Sequence, residues 1–330
     1  MSRLLVIDSN NLFIRNYIVR GHISSNGIPI GGVIGYLQSL QMLIRETDPT
    51  EVVICWDAPG GSTRRRQVNK DYKAGRKPIR LNRSFRNLTE DQERENKIWQ
   101  TSKMLEILNG LPVIQLMISG IEADDIIAYV VQHEKYKDWE HVIVSSDKDF
   151  FQLCSGLTTV YRPIQKKLMT RTNIVEEHGI HPNNFALARA MVGDKSDNIN
   201  GIPRVGLKTV QKTFPFLVEE RSATISDLMN HLAEGKKSKT ALSILENRSI
   251  IQENYQLMQL YVPDIEPISA QKISYNINEF EPEFNRTDFV VALTKDGLQN
   301  VRLDTLFSKM KQIVRNFKTK NTCAEAASVI

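Results

Sequence analysis

The chain has 330 residues, 41% of them hydrophobic and 25% charged, with a formal net charge of +5 at pH 7. This composition is typical of a globular protein with a sizeable core, and no apolar run is long enough to span a membrane. The start lacks the apolar stretch of a signal peptide, and three widely spaced cysteines argue against disulfides or a zinc site, so we expect a cytoplasmic monomer without membrane association.

Strands and helices alternate through the first part of the chain. RLLVID and EVVICW are predicted to be buried strands, and GGVIGYLQSLQMLIRET between them has apolar residues at helical spacing. The next predicted elements are a helix at NKIWQTSKMLEILNGL, a strand at PVIQLMISG, a helix at EADDIIAYVVQHEKY, a strand at the start of HVIVSSDKDFFQL, and a hairpin formed by LTTVYRP and KLMTRTN. Such alternation predicts an α/β fold with a mostly parallel sheet flanked by helices.

The character of the sequence changes near residue 174. From there to about residue 215 the pattern is helical, with glycine and proline between the helices and no strong strand, and helical patterns continue towards the C-terminus. We therefore predict two domains, an α/β core at 1–180 and a helical domain at 181–330. A basic segment at about 60–95 and a helical module at about 185–215 stand out within them.

Acidic residues occur where the predicted strands end. Asp8 ends the first strand, Asp57 follows the second, and Asp147 and Asp149 follow a later one. Ligands of open parallel sheets bind at this carboxyl edge. Further acids are Glu122, Asp124 and Asp125 at a predicted helix start, and Asp194 and Asp197 in GDKSDN.

Any one of these acids could be an ordinary turn or helix-capping residue. Together they would repel one another, and a helix N-terminus offsets only about 0.3–1 kcal/mol per charge. Divalent cations would neutralise them, and carboxylates favour Mg²⁺ or Mn²⁺. Because two such ions about 4 Å apart suit phosphodiester hydrolysis, the pattern predicts a two-metal hydrolytic site.

Residues 62–86 contain ten Lys or Arg residues and a single acid, Asp71. A solvated surface is the alternative interpretation, but the segment lies inside the chain beside the predicted acidic edge, where long insertions are usually functional. We interpret it as a phosphate-binding loop or arch, in which Tyr72 and Phe85 could stack on unpaired bases.

The stretch GIPRVGLKTVQKTF at 201–214 predicts a second phosphate site. Gly201 and Gly206 flank a tight turn, and backbone N–H groups at the helix start near Lys208 and Thr209 could hold a duplex phosphate. An ordinary connection between two helices is the alternative. The stretch is not a Walker A loop, because the lysine does not directly follow the second glycine.

Six motifs in a fixed order cover about residues 3–215: LLVIDSNN, VICWDAPGGSTRRR, DYKAGR, GIEADDIIAY, VSSDKDFFQL and MVGDKSDNINGIPRVGLKTVQKTF. With them the chain resembles the structure-specific 5′-nuclease superfamily of flap endonucleases and 5′→3′ exonucleases. Within it, the chain is similar to stand-alone phage enzymes such as the ribonuclease H of T-even-type phages. The resemblance implies a PIN-like, or resolvase-like, core with a helical arch and a helix–three-turn–helix DNA-binding module.

The resemblance also implies roles for the candidate residues. One Mg²⁺, which Mn²⁺ can replace, would be surrounded by Asp8, Asp57, Glu122 and Asp124, and a second by Asp147, Asp149 and Asp197, with Asp125 and Asp194 in support. The scissile phosphate would be steered by Arg65, Lys73 and Arg76. DNA would be contacted by Arg64, Arg66, Lys70, Tyr72, Lys77, Gly201, Arg204, Gly206, Lys208 and Thr209, and the 201–206 turn would hold a K⁺ ion.

The chain departs from the family pattern in this turn. Glycine is frequent in the family at the position of Arg204, and proline or lysine at the position of Asn200. A residue with a side chain limits the φ freedom of the turn, so we expect Arg204 to weaken the K⁺ site while adding a phosphate contact.

The resemblance implies cleavage of 5′-flap DNA, of nicked or gapped duplex 5′ ends, and of RNA primers in RNA–DNA hybrids during replication and repair. Branched or nicked DNA and RNA–DNA hybrid would be the partners, with a single-stranded-DNA-binding protein or sliding clamp beside them, in the host cytoplasm for a phage protein. A PIN-type ribonuclease acting on single-stranded RNA and a catalytically silent binder of branched DNA are the alternatives.

Overall fold

A six-stranded sheet forms the centre of the protein in a computed structural model that describes residues 1–85, 87–235, 238–298 and 301–328. The strands are β1 (Arg3–Asp8), β2 (Glu51–Trp56), β3 (Ile114–Met117), β4 (Glu140–Val144), β5 (Thr158–Arg162) and β6 (Lys167–Met169). Their order is β3-β2-β1-β4-β5-β6, and all neighbours are parallel except β5 and β6, which form the predicted hairpin. The predicted α/β fold with a mostly parallel sheet is confirmed.

The central strands are apolar because the sheet is covered on both faces. Every residue of β2 is buried, as are Leu4 to Asp8 of β1. The helices of this half are α1 (Ser9–Val19), α2 (Gly31–Thr47), α3 (Thr63–Val68), α4 (Glu90–Leu108) and α5 (Ala123–Val131). Since β1 lies between β2 and β4, the strand order reverses at the β1–β4 pair, where open parallel sheets bind ligands at their carboxyl edge.

Helices dominate the second half. They are α6 (Arg171–His178), α7 (Pro182–Val192), α8 (Leu207–Thr213), α9 (Ile225–Glu234), α10 (Lys239–Glu246), α11 (Arg248–Met258), α12 (Pro267–Asn278), α13 (Arg286–Thr294) and α14 (Asp304–Ser328). Between α7 and α8, the two-residue strands β7 (Gly193–Asp194) and β8 (Ile199–Asn200) form a hairpin. Within the described parts of the chain, none of the helices is both long and apolar enough to cross a membrane.

Two apolar clusters fill the interior, and each combines residues from both halves of the chain. One extends from Leu4 to Ile277 and the other from Leu5 to Ile313. The helix α14 also binds the first half through polar contacts, since Lys309 Nζ lies 2.6 Å from Asp48 Oδ1. The predicted boundary at residue 180 therefore does not separate two hydrophobic cores.

The basic segment differs from the helical arch expected at about 60–95. Among the described residues between 62 and the start of α4, only α3, six residues long, is helical, and the others form turns and irregular backbone. Its far end is anchored to α4, because buried Glu93 accepts hydrogen bonds from Arg80 Nε at 2.8 Å and from the N–H of Leu81 at 3.0 Å. Residue 86, the last of the basic segment, lies outside the described residues.

Candidate active site

The carboxyl edge of the sheet brings together acids from separate parts of the chain. Asp8 ends β1, and its Oδ1 caps α1 by accepting from the N–H of Asn11 at 3.1 Å. Its Oδ2 accepts a hydrogen bond from Ser145 Oγ, just after β4, at 2.7 Å. Asp57 follows β2 and accepts from the N–H of Ala123, the first residue of α5, at 2.8 Å. These bonds connect the end of β1 with that of β4, and the end of β2 with the start of α5.

Asp147 and Asp149 occupy the loop after β4. Asp147 Oδ1 accepts from the N–H of Asp149 at 2.8 Å, and the N–H of Asp147 donates to Ser145 Oγ at 3.1 Å. The Ser145 hydroxyl thus connects Asp8 with the backbone of Asp147. Sequence reasoning missed Ser145, although its position directly before the acidic loop was available as a signal.

Burial and crowding raise the pKa values of these acids. Burial, and further the charges of Asp57 and Asp147, raise the pKa of Asp8 to about 7 against its two hydrogen bonds. Burial and the charge of Asp147 likewise raise the pKa of Asp149 to about 7. For Asp124, burial and the charges of Asp147 and Asp8 raise the pKa well above its ordinary value. Burial is thus the main cause of these shifts, and repulsion between neighbouring carboxylates adds to it.

Three groups of the basic segment bind Glu122, which is only 3% exposed. Lys73 Nζ lies 2.7 Å from Oε1, and Arg65 Nη1 lies 2.8 Å from Oε2, which also accepts from the Tyr72 hydroxyl at 3.0 Å. Arg65 also binds Asp125 through Nη1 at 2.6 Å and Nη2 at 3.2 Å. Burial opposes ionisation of Glu122, but Arg65 and Lys73 outweigh it and hold the Glu122 pKa below its ordinary value.

The same segment reaches the β7–β8 hairpin. The Tyr72 hydroxyl donates to Asp197 Oδ2 at 3.2 Å, and Arg76 forms an ion pair with Asp197 Oδ1. The N–H of Lys73 donates to the carbonyl of Asp197 at 2.7 Å, and Arg76 Nε donates to the carbonyl of Ser196 at 3.1 Å. Residues 72–76 therefore bridge the start of α5 and the hairpin.

Arg189 on α7 is a functional candidate that sequence reasoning missed. Its Nε lies 2.8 Å from Asp149 Oδ1, its Nη2 forms an ion pair with Asp194, and its Nη1 donates to the carbonyl of Gly193 at 3.1 Å. Asp194 Oδ1 also accepts from the N–H of Ser196 at 2.7 Å. The available signal was a single cationic residue within the otherwise apolar stretch FALARAMV, shortly before two acids.

Two predicted DNA-binding residues have contacts that differ from expectation. Arg64 lies 2.8 Å from Asp264 Oδ1 and also pairs with Glu266, so its charge is already neutralised within the chain. Tyr72 is 3% exposed and its hydroxyl is bound by two acids, so it is not the exposed stacking platform expected from the sequence.

Other basic residues of the segment remain accessible. Lys70 and Lys77 are exposed and form no ion pair with any described residue. Arg66 is exposed and donates from Nε to the carbonyl of Tyr72 at 3.3 Å. Phe85 is half-buried and packs against the second apolar cluster, which limits its face for stacking.

The two glycines of the predicted duplex-binding turn differ in whether the structure has room for a side chain at their position. A Cβ on Gly201 would lie 1.9 Å from the carbonyl oxygen of Val192, so only glycine fits there. Gly206 is the N-cap of α8 with φ −116°, and a Cβ there would have no neighbour within 4 Å. Close packing thus requires Gly201 but not Gly206.

Arg204 has a φ of +65°, in the left-handed region that glycine adopts readily. Its side chain is exposed, as is that of Lys208 on the first turn of α8. Thr209 is half-buried, and its N–H donates to the carbonyl of Gly206 at 2.8 Å. The turn therefore presents two exposed cations on the side chains of Arg204 and Lys208.

The carboxylate oxygens of the predicted ligands are of the chemical type that binds hard divalent cations. The nine predicted ligands are all carboxylates, and relief of their repulsion is what a bound cation would supply. Among the residues that the structure describes, however, no group of three or more acidic, histidine or cysteine side chains is arranged to hold a metal ion. Oxygens of five of the nine acids face arginine or lysine side chains, namely those of Glu122, Asp125, Asp149, Asp194 and Asp197.

Comparison with known proteins shows which family the chain is similar to. Residues 3–179 match the family model of the 5′-3′ exonuclease N-terminal resolvase-like domain. A 5′-3′ exonuclease of Aquifex aeolicus is 28% identical over 96% of this chain and 97% of its own length. A thermostable DNA polymerase I of Thermus thermophilus is 31% identical over 72% of this chain but only 26% of its own length.

A solved structure extends the likeness to the helical half. It is a bacteriophage T5 flap endonuclease in a pseudo-enzyme–product complex with DNA and metal ions, with a TM-score of 0.62 and 19% identity. The match covers 95% of this chain and 98% of that chain, and at this identity it shows the shared fold. Because the family model spans more than half of the chain, the protein belongs to the 5′-3′ exonuclease family and is an enzyme of the 5′-3′ exonuclease class.

Proposed function

We propose that this enzyme hydrolyses phosphodiester bonds in 5′-flap DNA, at 5′ ends of nicked or gapped duplexes, and in RNA primers paired with DNA during replication and repair. The products are a 5′-phosphate and a 3′-hydroxyl. The observation that carries the proposal is the contact of Lys73 and Arg65 with Glu122 beside the other acids. Groups that suit metal ions and groups that suit a phosphate are adjacent, as phosphodiester hydrolysis requires.

The proposal includes dependence on two Mg²⁺ ions, with Mn²⁺ able to replace them. The residues that would hold the first ion are Asp8, Asp57, Glu122 and Asp124, those for the second are Asp147, Asp149 and Asp197, and Asp125 and Asp194 would support them. When bound, such ions neutralise charge at the phosphate and lower the pKa of the attacking water.

The basic segment supplies the cations that act on the scissile phosphate. Arg65 is 12% exposed and held by two acids, Lys73 is 16% exposed, and Arg76 is 52% exposed. Positive groups already in position stabilise the charge that develops on the phosphoryl oxygens without further reorganisation. Arg76 is thus the most accessible to a phosphate, whereas Arg65 mainly orients Glu122 and Asp125.

Duplex DNA docks on the hairpin and turn that follow α7. Arg204 and Lys208 are the exposed cations there, and Gly201 allows the close backbone approach that shapes the turn. Lys70, Lys77 and Arg66 provide a further basic surface near the acids for a single strand. Neutralising phosphates in this way makes binding dependent on salt concentration. A K⁺ ion at the 201–206 turn is part of the proposal.

Cleavage of four substrates in Mg²⁺ and in EDTA tests the proposal. We expect a 5′-flap DNA, a nicked duplex and an RNA–DNA hybrid to be cut in Mg²⁺ only, and single-stranded RNA to be cut slowly or not at all. Preferred cleavage of single-stranded RNA would instead indicate a PIN-type ribonuclease. Tight binding of the flap without cleavage would indicate a silent DNA-binding protein.

The role of Lys73 has its own test within the same assay. We expect Lys73→Ala to lower the single-turnover cleavage rate far more than it weakens duplex binding, because the ammonium acts at the reacting phosphate. Lys272→Ala removes an exposed lysine on α12 and serves as the matched control. An unchanged single-turnover rate for Lys73→Ala would remove this residue from the mechanism.

A further inference from the structure

We infer that Lys73 of the basic segment neutralises Glu122 before a divalent cation binds, and that Lys73 and the cation compete for this carboxylate. Cation binding would then release Lys73 for the phosphate of the substrate. The inference rests on the proposed function, which it extends to the regulation of the same site. It gives Lys73 two successive partners, Glu122 before the cation binds and the substrate phosphate afterwards.

The first step is the match between cations and acids. Lys73 Nζ lies 2.7 Å from Glu122 Oε1, while Arg76 pairs with Asp197. Lys73 Nζ also lies 5.0 Å from the centre of the Tyr72 ring, whose hydroxyl reaches both acids. A buried carboxylate is destabilising without a partner, so these side chains supply the charge compensation that a metal ion would otherwise supply.

The second step is that the two partners exclude each other. Oε1 of Glu122 accepts from Lys73, and Oε2 accepts from Arg65 and Tyr72, so a cation that binds this carboxylate meets the Lys73 ammonium 2.7 Å from one of its ligand oxygens. Lys73 is the most readily displaced, because it holds Glu122 by one contact, whereas Arg65 also binds Asp125 twice and the carbonyl of Leu257. Repulsion between the ammonium and a divalent ion acts in the same direction.

The third step concerns the backbone at Lys73. Its φ of +57° is uncommon for a residue with a side chain, so Lys73 contacts Glu122 from a strained backbone conformation. The start of the segment is held independently, by Arg64 on Asp264 and by Asn69 Nδ2 on Glu253 at 2.8 Å. A movement of the backbone at Lys73 would therefore leave residues 64–69, the start of the segment, in place.

Binding of Mn²⁺ alone, measured by calorimetry without DNA, tests the competition. We expect Lys73→Met to bind Mn²⁺ at least about tenfold more tightly than the wild type, because the substitution frees Oε1 of Glu122 and removes a repelling positive charge. Lys195→Met is the matched control, since Lys195 lies between Asp194 and Asp197 in the sequence but is exposed and pairs with no described acid. We expect its effect to be less than about threefold.

Hydrogen exchange of the wild-type protein provides a second measurement that needs no variant. The N–H of Lys73 is bonded to the carbonyl of Asp197 at 2.7 Å. We expect Mn²⁺, without DNA, to speed exchange in residues 72–76 while residues 3–8 of β1 stay protected. This measurement decides the question even where Lys73→Met does not fold.

The outcomes separate the inference from the proposed function. Unchanged or weaker Mn²⁺ binding by folded Lys73→Met, equal tightening in Lys195→Met, or unchanged or slower exchange at 72–76 overturns the competition, even when the wild type cleaves flap DNA. A wild type that neither binds Mn²⁺ nor cleaves any substrate overturns the proposed function and this inference together.

Discussion

The Nε atom of Arg189 lies 2.8 Å from Oδ1 of Asp149 and thereby joins the helical half of the protein to the carboxyl edge of the sheet. The same guanidinium binds Asp194 and the carbonyl of Gly193, which precede the predicted duplex-binding turn. One planar group thus holds an acid of the core and the hairpin that leads to the DNA surface. Arginine suits this position because its donors form a rigid fork.

Replacing Arg189 by methionine should destabilise the metal-free protein. Asp149 and Asp194 would be left half-buried without their cation, which we expect to lower the free energy of unfolding by about 2–4 kcal/mol. Arg189→Lys keeps the charge but loses the fork, so it should recover only part of this loss. Urea unfolding at pH 7.5 measures both, and a methionine variant as stable as the wild type would contradict the bridging role.

Asp8→Asn should greatly reduce cleavage and yet stabilise the metal-free protein. Asp8 is buried near Asp57 and Asp147 without a cation of its own, so removing its charge relieves repulsion while an amide oxygen can still cap α1. We expect cleavage to fall by about 10²–10³-fold and the melting temperature in EDTA to rise by a few degrees. Asp138→Asn, exposed before β4 at the opposite edge, should change neither; wild-type cleavage by Asp8→Asn would refute the site.

Gly201→Ala should disrupt the hairpin, whereas Gly206→Ala should not. The new Cβ at residue 201 would collide with the carbonyl oxygen of Val192, while the one at residue 206 would meet no atom within 4 Å. We expect the alanine at 201 to cost about 1–3 kcal/mol of unfolding free energy and the alanine at 206 less than about 0.5 kcal/mol. Equal stability of the two variants in thermal unfolding would argue against the close approach.

Arg204→Gly should weaken DNA binding with little change in the stability of the protein. Glycine relieves the left-handed φ of +65° but makes the unfolded chain more flexible, so we expect the unfolding free energy to change by less than about 1 kcal/mol. Loss of the exposed guanidinium should weaken duplex binding and reduce the slope of log affinity against log salt by about 1. An unchanged salt slope in a binding titration would show that Arg204 contacts no phosphate.

His141 should make stability depend on pH. Burial lowers the pKa of His141, whose Nδ1 lies 2.9 Å from Thr158 Oγ1 and whose Nε2 lies 2.8 Å from the carbonyl of Tyr136. Below about pH 6.5 the histidine of the unfolded chain takes up a proton that the buried histidine of the folded protein does not. The contribution of neutral His141 to the free energy of unfolding is therefore complete above this pH and is lost as the pH falls.

We expect His141 to contribute about 1 kcal/mol of this loss between pH 7 and pH 5.5. Urea unfolding of the wild type and of His141→Gln at both pH values isolates the contribution, because all other titrating groups are common to the two proteins. A pH dependence identical in the two proteins would assign the effect to other residues.

Local sequence patterns were sufficient to predict the sheet and its acids. Asp8 and Asp57 follow apolar runs, and parallel strands expose their carboxyl ends at one edge whatever the details of packing. Patterns were insufficient for the basic segment, since ten cations in 62–86 predict affinity for anions without identifying the anion. In the folded protein Arg64 and Arg65 bind the protein's own acids, and Tyr72 is buried with its hydroxyl on Glu122 and Asp197.

The sequence by itself determined the α/β alternation, the placement of acids after strands and the family, because these depend on residues close together in the chain or on motifs in a fixed order. Only the tertiary structure decided which cation meets which acid. Arg189 and Asp149, or Lys73 and Glu122, are 40 or more residues apart, and electrostatic pairing depends on distance in space. Such pairs become neighbours only when the sheet, the helices and the hairpin pack together.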